Sequence, residues 1–584
     1  MQNISFDKSP LNLKNSPKLL SVITKTGDNY DVISLSQTSE KNVSDNKSAN
    51  SDLNKSLNEK NNDIVIRKPN FLENFQKHYV VILLCLMVSF GGFVFGWDTG
   101  SISGFVGMSD FKKSFAEYDI EKKINSFSGL RIGMIISLFN IGCAIGGITL
   151  PKLGDKYGRK FGITSSMVIY MIGIILQISS SHYIQYCVGR IVAGFGVGSV
   201  SVLCPMFIAE TSPSEIRGLT VSFYQLMITL GIFFGYITTF GTSVLFIDSN
   251  QWRTPLGLCF VWAITLIAGI SLLPESPRFL LSNDSNQKAR KSIAKINNLN
   301  PNDLFVTEEL EAIIAGIEEE KNAGSATWHE LFHGKPHICT RLLIGIALQS
   351  FQQLTGNNYF FYYGTSIFNS IGLTNSYITS IILGAVNFVS TIVALFTINT
   401  FSRRATLICG SILMTVMLFL FSFVGSELLF KNSYDGETNP FYGCVMVVTT
   451  CIFIAVFAMT WAPGVFVVVS ETYPLRIRSR GMAMATAANW IWGFLITLFT
   501  PLIVSKIGFY YGYVFMGFTI ASIFFVLLMV PETSGLSLEE IDDMYTYYKL
   551  MKASQTRLDR DEANTLSKIQ VSGKTPTEEK NAIV

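Results

Sequence analysis

Long apolar blocks alternate with short polar segments over most of the chain. Each block has about the twenty residues that a helix needs to cross the hydrocarbon core of a bilayer. The pattern predicts two sets of six membrane-spanning helices. The first set covers 79–99, 130–150, 161–181, 187–209, 219–240 and 254–273. The second set covers 342–371, 377–398, 405–425, 442–470, 481–505 and 509–530.

Three longer polar segments frame the two sets of spans. Residues 1–78 are rich in Ser, Asn, Lys and Asp and cannot bury enough apolar area to fold, so we expect a disordered tail. Residues 274–341 carry amphipathic stretches such as TEELEAIIAGIEEEK, which predict short helices. Residues 531–584 form a second tail. The expected domains are therefore an N-terminal half, 79–273, and a C-terminal half, 342–530, joined by a linker and flanked by tails.

The composition agrees with a membrane protein and excludes a soluble multidomain enzyme. Of the 584 residues, 49% are hydrophobic and 15% are charged, whereas about 25% charge is usual in soluble proteins. The net charge of +3 comes without a basic stripe interleaved with aromatics, so we expect no nucleic-acid partner. The nine cysteines lie in or beside apolar blocks without a CxxC pair, which favours buried thiols over disulfides or metal ligands. The fold class is therefore an all-α polytopic membrane protein.

Loop charge predicts the orientation in the membrane. Basic residues gather in the loops after the second and tenth spans, and such loops stay in the cytoplasm. The residues concerned are Lys152, Lys156, Arg159, Lys160, Arg476, Arg478 and Arg480. Because the number of spans is even, both termini are expected on the cytoplasmic side. We expect neither a cleavable signal peptide nor an N-glycan.

Paired motifs indicate that the two halves are copies of one unit. Residues 210–217 (ETSPSEIR) end the fourth span and residues 471–478 (ETYPLRIR) end the tenth. Residues 274–278 (PESPR) close the sixth span and residues 531–535 (PETSG) close the twelfth. A duplicated six-helix unit with a binding site between the copies is the architecture of alternating-access carriers.

These motifs, in this order and spacing, resemble those of the sugar porter family of the major facilitator superfamily, most closely the fungal hexose transporters. The matching stretches are GDKYGRK at 154–160, GR at 189–190, PESPR at 274–278, QQLTGNN at 352–358, NW at 489–490 and PETSG at 531–535. The resemblance covers about 79–545. It implies a plasma-membrane carrier that moves a hexose, expected to be glucose, as a functional monomer without a cofactor. It also suggests that lysines in the tails recruit ubiquitin ligases or endocytic machinery.

Neutral amides at membrane depth are the candidate sugar ligands. An amide both donates and accepts hydrogen bonds to hydroxyls without placing an unpaired charge in the membrane. By the resemblance, the hexose is held by Gln225, Gln352, Gln353, Asn358, Asn387 and Asn489. Gln352 and Asn358 are six residues apart, so a helix break near Gly356 would bring them together. The alternative is that these amides only join helices to one another.

Aromatic side chains are the candidates for the apolar walls of the site. Those expected to contact the sugar are Phe95, Phe361, Phe457 and Trp490. Trp490 adjoins an amide residue in the sequence. The alternative for each is a place in the core or against lipid.

Charges at the cytoplasmic helix ends are the candidates for an inner gate. The residues concerned are Asp155, Arg159, Glu210, Arg217, Arg403, Glu471 and Arg478. Carboxylates and arginines there can pair when the halves close and part when they open. Topogenic positive charge alone would explain the arginines but not the repeated glutamate spacing. Asn399 and Ser402 replace an acid and a glycine of the family pattern in the second copy.

Two charges within the spans leave the transport mode open. Asp98 and Arg190 lie in the first and fourth spans, and intramembrane charges are often functional, so proton coupling is one interpretation. The other is a fixed ion pair. Facilitated diffusion is favoured over symport, since similar fungal facilitators share the acid. A sugar sensor on the same scaffold is the remaining alternative, disfavoured by the short tail 531–584.

Pro463 and Gly464 predict a hinge in the tenth span. His329, His333 and His337 are not expected to bind metal, because Gly334 and Pro336 interrupt any helix there.

Overall fold

The computed structural model describes residues 22–26, 29–33, 78–119, 124–213, 216–324, 329–334, 337–370, 376–397, 401–429, 440–534, 536 and 538–547. The chain divides into two units, Met1–Phe71 and Leu72–Val584. In the first unit, strands β1 (Val22–Thr26) and β2 (Asn29–Ile33) pair antiparallel, with Val22 opposite Ile33. They lie within the segment for which the composition predicts disorder. The remainder of that prediction, and residues 548–584, lie outside the described residues.

The N-terminal half of the second unit is helical, as predicted. Its helices are α1 (Tyr79–Phe105), α2 (Ser109–Phe115), α3 (Gly129–Thr149), α4 (Pro151–Tyr157), α5 (Arg159–Ile178), α6 (Tyr183–Thr211), α7 (Arg217–Leu245) and α8 (Asn250–Leu272). Two short strands, β3 (Glu117–Asp119) and β4 (Ile124–Ser126), pair after α2. Four linker helices follow: α9 (Pro277–Ser282), α10 (Asn286–Asn297), α11 (Leu304–Ala323) and α12 (Glu330–His333).

The C-terminal half repeats the arrangement with two interrupted spans. Its helices are α13 (Ile338–Leu354), α14 (Asn357–Ser370), α15 (Ser376–Thr397), α16 (Arg403–Phe423), α17 (Pro440–Met459), α18 (Trp461–Thr472), α19 (Leu475–Ile507), α20 (Tyr511–Met529) and α21 (Leu538–Tyr547). A π-helical turn, Val424–Leu428, extends α16, and a 3₁₀ turn, Gly508–Tyr510, separates α19 from α20.

Ten helical stretches among the described residues are long and apolar enough to cross a bilayer. One of them, Arg476–Met529, contains two predicted spans. The predicted span 342–371 is divided between α13 and α14, which are each too short to qualify. The described helices thus accommodate all the predicted spans.

The tenth span breaks earlier than its sequence suggests. The break falls at Thr460, between α17 and α18, and not at Pro463–Gly464. Pro463 stands in the first turn of α18. Backbone N–H groups in the first turn have no carbonyl partner within the helix, so a proline, which lacks the N–H, loses no hydrogen bond there. The proline therefore fits a helix start, and the predicted hinge position was wrong by one turn.

Small residues allow α1 to approach α7 closely. A Cβ atom on Gly92 would lie 2.5 Å from the Tyr224 carbonyl oxygen, and one on Gly100 would lie 2.5 Å from that of Ile232. A side chain at either position would push the helices apart. Close backbone packing of this kind replaces the hydrophobic effect as a source of helix association in lipid.

Candidate functional site

The break in the seventh span brings its amides together. Helix α13 ends at Leu354, and Gly356 has a φ of 87°, a conformation that favours glycine. A Cβ atom there would lie 2.5 Å from the ring of Phe515. The chain turns through this residue into α14, so that the Asn358 Nδ2 donates to the Gln353 Oε1 at 2.6 Å. The break lies where the spacing of the amides predicts it.

The hydrogen bonds continue from Gln353 into the eleventh span. The Gln353 Nε2 donates to the Asn489 Oδ1 at 2.8 Å. The Asn489 Nδ2 donates to the side-chain oxygens of Gln349 and Gln352, each at 2.8 Å. Gln349 was missed by sequence reasoning, although it lies one turn before Gln353 on the same helix face. We call Gln349, Gln352, Gln353, Asn358 and Asn489 the amide chain.

The amide chain ends at the break in the tenth span. The Gln352 Nε2 donates to the carbonyl oxygens of Trp461 and Ala462 at 3.0 and 3.2 Å. Those carbonyls open α18, immediately after the interruption at Thr460. Both interrupted spans are therefore tied to one hydrogen-bonded group. Along the amide chain, each amide that donates does so in the same direction, from Asn358 toward the break in the tenth span. Hydrogen bonds in such a series polarise one another.

Part of the amide chain remains available to a ligand. Asn358 and Gln353 are only partly buried. The Asn358 Oδ1 accepts no hydrogen bond from the described residues, and the Gln353 amide has a second N–H beyond the one that Asn489 accepts. The Gln349 Nε2 is fully enclosed and has no hydrogen-bond partner within the described structure. The partly exposed end of the amide chain, at Asn358 and Gln353, can thus both donate hydrogen bonds to hydroxyl groups and accept hydrogen bonds from them.

Aromatic rings from both halves meet beside the amides. Trp490 follows Asn489 on α19, and its ring lies 5.8 Å from that of Phe95 on α1 in an edge-to-face arrangement. Phe95 in turn stacks on Phe139 of α3 at 6.4 Å. Two of the predicted aromatic residues therefore form a wall that joins the halves.

A further amide from the N-terminal half, Asn140, reaches the same region. It is 2% exposed, and its Nδ2 donates to the Thr497 Oγ1 at 3.1 Å. A Cβ atom on Gly493 would lie 3.7 Å from the Gln353 Oε1 and 3.9 Å from the Asn140 Nδ2. Sequence reasoning missed Asn140, because no local signal indicates which face of α3 meets α19.

Four predicted site residues lie apart from the amide chain, three of them on helices that carry none of its members. Gln225 is partly buried on α7, Asn387 is buried on α15, and Phe361 and Phe457 are buried on α14 and α17. No described side-chain hydrogen bond or ring contact joins any of these four residues to the amide chain. The Phe361 carbonyl accepts a hydrogen bond from the Tyr236 hydroxyl at 2.7 Å.

Asp98 and Arg190 form a buried ion pair within the N-terminal half. One guanidinium nitrogen of Arg190 donates to both carboxylate oxygens of Asp98, at 2.8 and 2.7 Å. The two side chains are 3% and 1% exposed. The Arg190 Nε donates to the Ile135 carbonyl, and the guanidinium lies 4.5 Å from the Phe139 ring centroid. The fixed partner considered for Asp98 is therefore present.

Three of the four predicted gate charges of the N-terminal half pair with one another. Arg159 forms an ion pair with Glu210 at 2.8 Å and another with Asp155 at 2.6 Å. Glu210 also accepts a hydrogen bond from the Ser276 hydroxyl at 2.5 Å. Glu275 accepts from the backbone N–H groups that begin α5, including that of Arg159 at 3.1 Å. Burial raises the pKa of Glu275 above its ordinary value, and those N–H donors oppose the rise.

The C-terminal half repeats these contacts in mirrored positions. Arg403 approaches Glu471 to 3.7 Å, and Glu471 accepts from the Thr533 hydroxyl at 2.6 Å. Glu532 accepts from the backbone N–H groups of Arg403 and Arg404 at 3.0 and 3.1 Å. The repeated sequence motifs therefore make repeated contacts, and the weaker second copy of the loop still supports them.

Arg217 and Arg478 contact backbone carbonyls instead of the glutamates. Arg217 donates to the Ser212 carbonyl and Arg478 to the Tyr473 carbonyl, in each case five residues earlier in the chain and before the helix that carries the arginine. The ion pairs of Arg159 with Glu210 and Asp155 lie within the N-terminal half, and that of Arg403 with Glu471 lies within the C-terminal half.

The two halves are joined at the opposite face, away from the basic loops. The Thr365 hydroxyl bonds with the Ser103 hydroxyl at 2.8 Å and donates to the Ser103 carbonyl at 2.6 Å. The Tyr377 hydroxyl donates to the Gly104 carbonyl at 3.0 Å. These contacts, with Asn140 to Thr497, form a seam of neutral groups. The described conformation is thus closed at this face.

Comparison with known proteins adds the family. Residues 84–545 match the family described as Sugar (and other) transporter. The chain is 52% identical to "Hexose transporter HXT10" of Saccharomyces cerevisiae over 80% of its length and 86% of that protein. It is 53% identical to "Hexose transporter 2" of Kluyveromyces lactis over 80% and 83% of the two chains. The solved proton:xylose symporter XylE bound to 6-bromo-6-deoxy-D-glucose has the same fold, with a TM-score of 0.65 and 24% identity, over 81% of this chain and all of that one.

Proposed function

Because the chain belongs to the sugar transporter family, we propose that it carries a hexose, with glucose the expected substrate, across the membrane by alternating access and facilitated diffusion. The observation that carries the proposal is the amide chain. It gathers neutral donors and acceptors where both interrupted spans meet, and leaves Asn358 and Gln353 open to a ligand.

The chemistry of the amide chain suits a neutral polyhydroxylated ligand. A sugar hydroxyl can donate to the Asn358 Oδ1 and accept from the free N–H of Gln353, while a ring face packs on Trp490. No charged side chain takes part, so an empty site carries no unpaired charge. Gln225, Asn387, Phe361 and Phe457 would line the rest of the sugar path, on the helices that surround the amides.

Alternating access follows from how the halves are joined. In this conformation the neutral seam joins the halves at one face, and at the other face Arg159 pairs with Glu210 and Arg403 with Glu471, each within its own half. Rocking of the halves would break the seam and bring the two sets of gate charges together. Asn140 lies between Gln353 and the seam residue Thr497, so sugar binding and seam closure would be coupled through it.

Facilitated diffusion is supported by the Asp98–Arg190 pair. A carboxylate whose charge is already balanced by a buried arginine has no need to take up a proton in each cycle. Proton symport is the competing proposal, since XylE, which shares the fold, is described as a proton:xylose symporter. A non-transporting sensor would use the same sugar site without a transport cycle.

The cellular setting is likewise a proposal. The basic loops support an orientation with both termini in the cytoplasm, and a carrier that takes up hexose from outside the cell would act in the plasma membrane. We take 79–273 and 342–530 to be the two moving halves of one functional monomer. Ubiquitin ligases would act on lysines of the tails, 1–78 and 531–584.

Uptake measurements test these proposals. Radiolabelled glucose uptake is measured in hexose-transporter-null yeast that express the chain, with and without an uncoupler. Carrier function predicts saturable uptake that survives the uncoupler. Immediate loss of uptake would establish symport instead, and the absence of uptake from surface-localised protein would favour the sensor.

A pair of variants tests the site itself. Asn358→Ala should lower uptake at unchanged surface abundance, because it removes the open end of the amide chain. Asn302→Ala, on the exposed linker, is the matched control and should transport normally. Unchanged uptake by Asn358→Ala would remove Asn358 from the sugar site.

A further inference from the structure

Two lysines from different parts of the chain converge on the end of α8. The Lys160 ammonium, in the first turn of α5, donates to the carbonyls of Leu273 and Ser271 at 2.6 and 3.0 Å. The Lys295 ammonium, from linker helix α10, donates to the carbonyl between them, that of Leu272, at 3.4 Å. Three consecutive carbonyls thus hold two positive charges side by side. Each ammonium has three N–H donors, so three of the six remain available.

Exposed apolar side chains surround this pair of charges. Leu272 is 77% exposed and Phe161, next to Lys160, is 52% exposed. Tyr157 is 56% exposed, and its ring meets that of Phe161 edge to face at 5.4 Å. Large exposed apolar residues at the last turn of one span and the first turn of another face acyl chains. The ammonium groups therefore lie at the depth of the lipid headgroups, with the rings in the interfacial belt.

Helix α10 extends the positive charge. Lys288, Lys291 and Lys295 are exposed and fall on one face of the helix, three and four residues apart. The opposite face is buried through Ala289 and Ile293. A helix with a lysine stripe over a packed apolar face is suited to lie along an anionic membrane surface.

The nearby carboxylates offset only part of this charge, because Glu275 attracts the Lys160 ammonium but the lysines of the patch outnumber it. Glu275 is engaged with the backbone N–H groups that begin α5, including that of Lys160. Asp155 is engaged with Arg159. Lys156 adds a further cation, whose ammonium lies 5.1 Å from the Tyr157 ring centroid. The patch therefore keeps a net positive charge beside the exposed side chains of Phe161 and Leu272.

We propose that Lys160, Lys291 and Lys295 bind the headgroup of an anionic phospholipid, whose acyl chain lies along Phe161 and Leu272. The free ammonium donors suit a phosphate or carboxylate group, and the exposed apolar side chains distinguish a lipid from a soluble anion. The site lies on the outside of the bundle, away from the amide chain. It does not depend on the proposed transport function.

Lipid retention by the purified full-length chain tests this proposal. The protein in detergent is titrated with phosphatidylserine or phosphatidylcholine, and bound lipid is counted by native mass spectrometry. Wild type should retain phosphatidylserine preferentially. Lys160→Gln/Lys295→Gln should weaken that retention about 25-fold, at about five-fold per lysine. Lys112→Gln/Lys113→Gln, with the same charge change near α2, is the matched control and should behave as wild type.

Two further arms separate binding from folding and from soluble anions. Lys291 has no described side-chain partner, so Lys291→Gln should weaken retention about five-fold without disturbing the end of α8. Lys160→Arg/Lys295→Arg keeps the charge and should keep the lipid. Equal retention of the two lipids, or retention unchanged in Lys160→Gln/Lys295→Gln, would overturn the proposal. Competition by soluble glycerophosphoserine as strong as by the intact lipid would also overturn it, in favour of a soluble anion.

Discussion

Replacing Asn489 with alanine tests whether the amide chain is organised before the sugar arrives. Asn489 exchanges side-chain hydrogen bonds with Gln349, Gln352 and Gln353. Hydrogen bonds between membrane helices contribute about 0.6 kcal/mol each, so three amount to about 2 kcal/mol. The rise in KM for the hexose is therefore at most about 30-fold, the value reached if all of this free energy falls on sugar binding, since 1.4 kcal/mol is a factor of ten.

The measurement pairs transport kinetics with stability. Initial rates of glucose uptake over a range of concentrations give KM and kcat for Asn489→Ala, with rates normalised to surface protein. Thermal unfolding of the purified variant in detergent gives Tm. Because the lost bonds also join α13 to α19, we expect Tm to fall together with the affinity.

Asn387→Ala is the matched control for this prediction. Asn387 is a buried amide on α15 whose side chain has no hydrogen-bond partner among the described residues. Its loss should raise KM without lowering Tm. An Asn489→Ala protein with both KM and Tm of the wild type would refute the idea that the amide chain prepares the site.

Three other substitutions test the ion pair, the seam and the break. Asp98→Asn leaves Arg190 buried beside a neutral group, so the free energy of unfolding should fall by about 3–5 kcal/mol. The double variant Asp98→Leu/Arg190→Met should regain most of that stability. An unchanged Tm in Asp98→Asn would contradict a structural role for the ion pair. Thr365→Val removes two hydrogen bonds to Ser103, which are worth about 1 kcal/mol in all. An impermeant thiol reagent added at the closed face should then reach the interior about five-fold more readily. Unchanged access of the reagent would exclude the seam as a gate. Gly356→Ala forces a side chain into a left-handed conformation against an aromatic ring and should abolish uptake, with normal uptake showing that the break is dispensable.

Sequence predicted the spans, their duplication and the break at Gly356, because each depends on local signals. An apolar block fixes a span by its length, and a glycine among amides marks a place where a helix can turn. Gln349 and Asn140 were missed for a different reason. Their part in the site depends on how α13 and α3 are rotated toward α19, which is set by packing between helices distant in sequence.

The gate charges show the same difference between what local sequence signals predict and what packing decides. Their repeated spacing predicted a gate of carboxylates and arginines, and in this conformation Arg159 pairs with Glu210 and Arg403 approaches Glu471. Sequence did not indicate that Arg217 and Arg478 would bond to nearby carbonyls. A charged residue at a helix end has several partners within reach, and only the path of the backbone decides among them. The position of the tenth-span break at Thr460 belongs to this group, since Pro463 fits both a helix start and a kink.

The neutral seam has an electrical consequence. The bonds made and broken at the closed face join hydroxyls, an amide and carbonyls, and the Asp98–Arg190 pair moves as one body with no net charge. One elementary charge carried across the membrane would feel about 2.3 kcal/mol per 100 mV. With an uncharged cargo, neither the seam nor this pair carries such a charge when the halves rock, and the gate charges stay at the helix ends beside the basic loops, so the resting potential would do no work on the cycle. The carrier should therefore cycle equally fast in polarised and depolarised cells, and the hexose gradient alone would set the direction of net flow.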